Sequence, residues 1–408
     1  MKLKIGMVGF GGRGTGVLKD IILPRKNVEV TAVCDLYPER LNNACDLVTK
    51  SRGIAPAVYS DYKELIADEN VNAIIVTTYW ESHIDIAVAA MKAGKPVGVE
   101  VGGAYSLDDC WRLIHTYEET GTPCMLLENC CYGRYEMLVT NMVRQGLFGD
   151  IVHCAGGYMH DLRDEVSLGR ERKHYRLRNY LNRNCENYPT HELGPIAKLL
   201  HINNGNRMVS LTSTASVQKG LHDYIRRSDE VKKDLLDRTF AQGDIITTVI
   251  KCAGGETITL QLDTTLPRPY CRGFTIRGTR GMFEEANKSI FLDIPEHLDK
   301  HFDWHSEWGN ADKYFEKYEH PVWKKYLKDG VLGGHDGIDW LVYGAFIDFI
   351  ENDTYPPIDV YDMAAWMAIT PLSEESIARG SAPVFMPDFT NGKWIERSEN
   401  VNPEYALD

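Results

Sequence analysis

Met1-Lys-Leu-Lys-Ile-Gly-Met-Val-Gly9-Phe-Gly11-Gly12-Arg13-Gly14 opens the chain as an apolar strand running directly into G-x-G-x-x-G. Each glycine in that spacing has a mechanical task. Gly9 permits a tight turn, Gly11 lets backbone approach a pyrophosphate, and Gly14 lets the following helix lie close to the strand. Phosphates in such a turn meet the free N–H groups and the favourable dipole of a helix N-terminus. Val28-Glu-Val-Thr-Ala-Val-Cys34 reads as a second strand ending at Asp35, 21 residues beyond Gly14, the place of a carboxylate that binds the adenosine ribose hydroxyls. Asp35 therefore favours NAD over NADP. A helix-capping role for Asp35 explains less, and Arg40 leaves some room for a 2′-phosphate.

Outward from this strand, further strands near 73–78, 96–100 and 123–127 alternate with helical stretches near 12–22, 38–50, 81–93, 106–119 and 135–145. Such alternation predicts a doubly wound parallel sheet, whose ligand crevice lies outside the carboxyl ends of its strands. Thr77 to His83 and Glu100 to Gly103 are the loops at that edge. After about residue 129 helices become fewer, and strands are expected over 151–159, 208–217, 244–252, 256–264 and 273–277, with Gly254-Gly255 as a hairpin turn. The expected architecture is α/β: a Rossmann dinucleotide-binding domain over 1–128, then an α+β domain over 129–408 with an open, mainly antiparallel sheet for substrate and subunit contacts. Residues 300–330 read as helices and loops, and 359–380 as one helix able to pack back on the first domain. The last 28 residues, with Pro383, Pro387 and Pro403, read as a tail laid over the surface.

The 408 residues, 43% hydrophobic, can fill two cores. A net charge of −13 argues against nucleic-acid binding, and no apolar run is long enough for a membrane helix. The chain enters its first strand with no charged leader or cleavage site, so a cytoplasmic location is expected. Its ten cysteines are scattered and lack a framework spacing, which predicts reduced thiols. There is no C-x-x-C, and His301-x-x-x-His305 lacks the glutamate of H-E-x-x-H, so no metal is expected.

Reactive groups concentrate in Gly156-Gly-Tyr158-Met-His160-Asp161-Leu-Arg163, in Asn187-Tyr188-Pro-Thr-His191-Glu-Leu-Gly-Pro195 and in Leu266-Pro-Arg268-Pro-Tyr270-Cys-Arg272. Tyrosine and histidine beside a nicotinamide suit alcohol oxidation, because one group must take the hydroxyl proton while hydride leaves the carbon.

The whole chain resembles the Gfo/Idh/MocA family of sugar oxidoreductases. More specifically it resembles glycoside hydrolase family 109, the NAD-dependent α-N-acetylgalactosaminidase group. The strings that carry this are Leu127-Glu128-Asn129-Cys-Cys-Tyr132, Asn141-Met-Val-Arg-Gln-Gly-Leu-Phe-Gly149, Gly157-Tyr158-Met-His160-Asp161-Leu-Arg163, Tyr188-Pro-Thr-His191-Glu-Leu-Gly-Pro195, Asp263-Thr-Thr-Leu-Pro-Arg-Pro-Tyr270 and Gly333-Gly-His335. Two departures from the wider family point the same way. Its dehydrogenases typically carry Glu-Lys-Pro where this chain has Glu100-Val101-Gly102, and Asp four residues before the catalytic His where this chain has Asn187.

The resemblance implies a hydrolysis built from redox steps: transient oxidation at C3 of the sugar, C2 deprotonation, elimination of the C1 aglycone, water addition and re-reduction. It bypasses the paired carboxylates of most glycosidases. By position in the family's strings, Tyr158 is the base at C2 and His191 manages the C3 hydroxyl proton, with an exchange of the two roles left open. Arg163 or Arg176 would supply the positive charge a tyrosine base needs. Glu128, Arg176, Tyr188 and Tyr270 align with substrate contacts. Gly9, Gly11, Gly12, Arg13, Gly14, Asp35, Trp80, His83, Glu100 and Asn129 would hold the cofactor, with Glu81 on the nicotinamide side. The competing expectations are an NAD-dependent sugar or inositol dehydrogenase and a non-catalytic sugar sensor; a homo-oligomer is expected from the wider family.

Overall fold

The computed structural model describes residues 2–295, 303–397 and 400–407, so Met1 and His301 lie outside the described residues. The chain divides into two compact units: Met1–Tyr132 with Lys324–Ala365 and Ser398–Leu407, and Gly133–Trp323 with Trp366–Arg397.

In the first unit six strands, β1 (Leu3–Val8), β2 (Val28–Cys34), β3 (Ala57–Tyr59), β4 (Ala73–Val76), β5 (Val97–Val99) and β6 (Cys124–Leu126), form a sheet in the order β3-β2-β1-β4-β5-β6. Every pairing is parallel. Ile5, Met7, Ile74, Ile75 and Val76 are fully buried, as expected of central strands covered on both faces. The chain reverses its direction of winding between β1 and β4, so the carboxyl ends there form the ligand crevice. The stretch 12–22 is an α-turn, Gly12–Gly16, running into a π-helical turn, Val17–Ile22. The short β3 and the helix Tyr62–Ala67 are additions to the sequence reading.

The first unit also takes in residues from the far end of the chain, which the expected split at 128/129 did not include. The reason lies in the helix Ile338–Asn352. Leu341, Val342, Tyr343, Ala345, Phe346, Ile347 and Phe349 are all buried, and a helix apolar on most of its surface must be enclosed. Phe346 lies against Gly98, where a Cβ would come within 3.0 Å of its ring, and the Tyr343 hydroxyl donates to Glu100 at 2.7 Å. The single helix expected over 359–380 is two, Val360–Met367 and Ile369–Ala378, and the division between the units falls between Ala365 and Trp366. Pro371 cannot donate to the Met367 carbonyl, which weakens a continuous helix at this point.

In the second unit eight strands form a mixed sheet. They are β7 (Ile151–Met159), β8 (Met208–Ala215), β9 (Ile245–Cys252), β10 (Thr257–Asp263), β11 (Thr275–Gly278), β12 (Gly281–Glu284), β13 (Ser289–Leu292) and β14 (Val384–Phe385), in the order β13-β12-β11-β7-β10-β9-β8-β14. Only β7 and β10 run parallel. The β9–β10 turn is the expected one: Cys252 N–H donates to the Glu256 carbonyl at 2.9 Å, and Gly255 has φ +105°. Burial alternates strictly along β9, so one face of the sheet is core and the other is open. The helix Thr190–Leu199 packs on β7 at Gly156, where a Cβ would lie 2.6 Å from Glu192 Cβ. Among the described residues no helix is long and apolar enough to cross a membrane.

Candidate functional site

In the first unit the glycine turn has the geometry its sequence requires. Gly9 adopts φ +96°, and a Cβ there would lie 2.8 Å from the Thr77 backbone; one on Gly14 would overlap the Gly9 carbonyl oxygen. Gly12 faces open space, and Gly11 would meet only Arg40 Nη1 at 3.6 Å. The turn is therefore tight behind and clear in front, the shape needed for a pyrophosphate to approach backbone. Asp35 is buried at the end of β2, where its carboxylate accepts from Phe10 N–H at 2.6 Å and Tyr37 N–H at 2.9 Å. These bonds fix the carboxylate and leave it lone pairs for ribose hydroxyls. Arg40 lies over the Tyr37 ring, 4.6 Å from its centroid.

Arg13, the first side chain of the helical turn, reaches a buried network. Its Nη1 and Nη2 donate to Asp339 at 2.7 and 2.9 Å, and its Nε donates to Glu100 at 3.0 Å. Asn129 donates to the same Asp339 at 2.8 Å. Burial disfavours the Arg13 charge, but Glu100 and Asp339 outweigh it and hold the guanidinium more firmly protonated than usual. Asp339, although desolvated, is held well below the usual carboxylate range by His335 and Arg13. Asp339, Tyr343 and His335 were not among the predicted cofactor contacts; they stand over 300 residues from Arg13, and only Gly333-Gly-His335 was visible as a string.

Trp80 and His83 stand in the first turn of the helix Trp80–Lys92, directly after β4. The His83 Nε2 lies 3.1 Å from the Thr78 carbonyl, which can only accept, so Nε2 carries the hydrogen. Burial pushes the imidazole's pKa down, and its buried Nδ1 lacks a partner among the described residues. A neutral histidine presenting an unused acceptor fits a carboxamide N–H₂. The open turn, the fixed Asp35 and this buried acceptor all fit NAD. Glu128, at the end of β6, is fully buried, with Oε1 accepting from Cys130 N–H at 3.1 Å.

The remaining predicted residues converge in the second unit. Tyr158 near the end of β7 lies with its ring centroid 4.4 Å from Tyr188, 5.4 Å from His191 and 6.4 Å from Tyr270. Tyr188 and His191 are 4.7 Å apart, edge to face. The close approach of helix to strand at Gly156 brings this about, with Pro189 fixing the helix start and His191 in its first turn. Arg176 is buried with its guanidinium 5.0 Å from the Tyr188 centroid and 5.7 Å from that of Tyr158, and its Nε is 2.6 Å from Glu165. Arg163 instead pairs with Asp161 at 2.6 Å and stacks on Tyr224, so of the two arginines Arg176 is the one beside Tyr158. His160 also joins the cluster, 5.9 Å from Tyr158 and 5.2 Å from Tyr270. It stands just past the end of β7, in the reactive string that also holds Tyr158. Asn187 turns its amide to Gln242, whose own amide binds the Cys185 carbonyl.

Residues 3–127 match the model of the oxidoreductase family with an NAD-binding Rossmann fold, and 132–396 match that of the glycosyl hydrolase 109 C-terminal domain. The chain is 39% identical to a glycosyl hydrolase family 109 protein of Stenotrophomonas maltophilia, over the whole of this chain and 92% of that one. It is 37% identical to an alpha-N-acetylgalactosaminidase of Tannerella forsythia, over 99% and 89%. A myo-inositol dehydrogenase from Lactobacillus casei, solved with NAD(H) and myo-inositol, shares the fold with a TM-score of 0.63 at 15% identity, covering 95% of this chain and 98% of that one. A levoglucosan dehydrogenase in complex with NADH and L-sorbose superposes with a TM-score of 0.68 at 17% identity, over 95% and 100%. With an NAD-binding Rossmann domain followed by the hydrolase domain along nearly its full length, the chain belongs to glycosyl hydrolase family 109.

Proposed function

We propose that the protein is an N-acetylgalactosaminidase that cleaves its glycosides by an NAD-dependent oxidation and elimination. The observation that carries the reading is the convergence of Tyr158, His191 and Arg176 around one point of the second unit. The relative from Tannerella forsythia supports the choice of sugar. Val101 supports the reaction class, because a simple dehydrogenase of the wider family would carry its proton-accepting lysine there.

When bound, NAD supplies a hydride acceptor for C3 of the sugar and returns the hydride at the end of the turnover. His191 holds the C3 hydroxyl proton. Tyr158 takes the proton from C2, acidified by the neighbouring ketone, and the C1 aglycone leaves with the bonding electrons and picks up a proton; water then adds at C1 of the enone and C2 regains a proton before C3 is reduced again. A tyrosine has an ordinary pKa of about 10, so a phenolate base near neutrality needs positive charge close by. Arg176 provides it from a dry position over the ring, where a charge acts more strongly than in water. Tyr188 packs against Tyr158 at a centroid separation of 4.4 Å, and Tyr270 is half exposed, able to meet the sugar from solvent.

The test is hydrolysis of nitrophenyl N-acetylgalactosaminide in deuterated water. Deuterium at C2 of the released sugar is expected; release without it overturns the mechanism, and net accumulation of reduced nicotinamide from free sugars points to a dehydrogenase instead.

A further inference from the structure

With Gly334 extended within it, the loop Gly333–Gly337 has positive φ at four residues, +80° at Gly333, +51° at His335, +54° at Asp336 and +95° at Gly337. This conformation is unfavourable for side-chain-bearing residues, yet it sets His335 beside the glycine turn. The His335 Nδ1 is 2.7 Å from Asp339 Oδ2, and Asp339 is itself buried and gripped by Arg13 and Asn129. The histidine side chain is 63% exposed. It lines a cleft of about 220 Å³ together with Gly12, Arg13, Gly16, Asp20 and Ile21. With Nδ1 engaged by Asp339, Nε2 is the polar atom the ring has left to offer.

The cleft wall itself carries more acidic than basic side chains. The pyrophosphate brings two negative charges to the turn that begins at Gly12. Arg40 stands beside Gly11, and Arg13 is the cation on the cleft wall, but Glu100 and Asp339 both lean on Arg13, so that trio carries a net charge of about −1 when all are ionised. Asp20 on the cleft wall adds another negative charge, and Tyr343 is a neutral donor. A protonated His335 adds a positive charge on the cleft wall and so moves the balance toward the phosphates. Its hydrogen bond to Asp339 favours that state.

We propose that His335 is a proton-gated contact for the NAD pyrophosphate: as imidazolium, oriented by Asp339, it donates from Nε2 and holds the dinucleotide in place. The contact rests on the NAD-binding domain and not on the glycosidase reading. A histidine whose charged form binds the anion gives tight retention in mild acid, and retention weakens as pH rises through its raised pKa.

The experiment is the exchange of bound NAD⁺ for isotopically labelled NAD⁺, followed from about pH 6 to about pH 9 in the full-length protein. In the unmodified protein the exchange rate should rise by about tenfold across this range, the size of one charge-assisted hydrogen bond. His335→Asn, a residue that tolerates the left-handed backbone, should exchange fast at every pH. His335→Lys should exchange slowly at every pH, since it keeps the cation without the titration; Lys173 and Lys288 already occupy that backbone region in this chain. A flat profile for the unmodified protein, or a pH slope preserved in His335→Asn, overturns the proposal. The readout is nucleotide exchange, so it stands whatever glycoside the enzyme cleaves.

Discussion

Gly102 is pressed against the indole of Trp80 so closely that a Cβ on it would overlap ring atom Cδ1 and come within 2.8 Å of Nε1. Both residues stand at the carboxyl edge of the parallel sheet, one following β5 and the other beginning the helix after β4. The contact gives a physical reason for Gly102 in place of the proline of related dehydrogenases, because a proline ring has no space beside this tryptophan. Gly102→Ala should therefore displace the indole, cost about 1–3 kcal/mol as an overpacked site, and release NAD. Thermal midpoint and nucleotide content after gel filtration check this; full retention with an unchanged midpoint means that the indole moves freely and the contact is not a constraint.

The Arg13–Asp339 pair ties the first helical turn to the helix Ile338–Asn352, which lies far along the chain. Asp339→Asn leaves the Arg13 guanidinium short of one carboxylate and a single acceptor oxygen where Asn129 and His335 now use two. A loss of about 3 kcal/mol is expected, as for a buried pair broken from one side. The pH dependence has a definite sign. Asp339 is held below its unfolded pKa of about 3.9, so its contribution is complete above that pH and is lost as acid protonates the native carboxylate. Unfolding titrations from neutrality down to about pH 3 should show the variant and the unmodified protein drawing together only at the acid end.

Much of this architecture is legible in the sequence because it is local. The strands at 3–8, 28–34 and 151–159 announce themselves through continuous or alternating apolar residues, and the turn at Gly9 through its glycines. The strands β12, β13 and β14 are four residues or fewer, too short to establish a period, and are held by their neighbours in the sheet. The choice between Arg163 and Arg176 was beyond sequence for a different reason. Both follow Tyr158 in one basic stretch, and what separates them is that Asp161 captures the nearer one. His335 and Asp339 escaped because their partner Arg13 is over 300 residues away, a separation that leaves no local pattern.

Glu186 makes a second pH prediction, opposite in sign. Its carboxyl is buried with no counter-charge among the described residues, and desolvation pushes its pKa up to about 8, which the Tyr188 backbone only partly offsets. The unfolded chain releases this proton near pH ~4.3. The native state therefore keeps a proton that the unfolded state has lost, and stability from this residue falls as pH rises between those values, by up to about 1.4 kcal/mol per unit. Glu186→Gln removes the titration. Denaturant midpoints measured from about pH 5 to about pH 9 should slope less steeply in the variant, and identical slopes would show that Glu186 is ionised in the native protein.

Arg176 should not be replaceable by lysine. Its planar guanidinium covers two aromatic rings and meets Glu165 at once, which a compact ammonium cannot reproduce. Arg176→Lys is expected to lower kcat by about 10–100-fold and to shift the pH optimum upward, because the ammonium does not spread its charge over the Tyr158 ring as the guanidinium does and so favours the ionised form less. Activity profiles with a nitrophenyl glycoside measure both effects; a KM change alone would make Arg176 a sugar contact without influence on the base.

Tyr158 and His191 sit 5.4 Å apart by ring centroid, so position alone does not apportion their roles. The order of the steps lets experiment do so, because the C3 proton must leave before the C2 proton becomes acidic. Tyr158→Phe should block C2 exchange in deuterated water yet still allow C3 oxidation, read in a single turnover as a lasting change in nicotinamide absorbance. His191→Gln should fail at the first step, with neither absorbance change nor C2 exchange. Each variant is expected to lose at least about 100-fold in overall rate, in line with removal of a positioned acid or base. The reverse pattern, in which the phenylalanine variant is silent and the glutamine variant oxidises C3 without exchange, assigns the C2 proton to His191 and the hydroxyl to Tyr158.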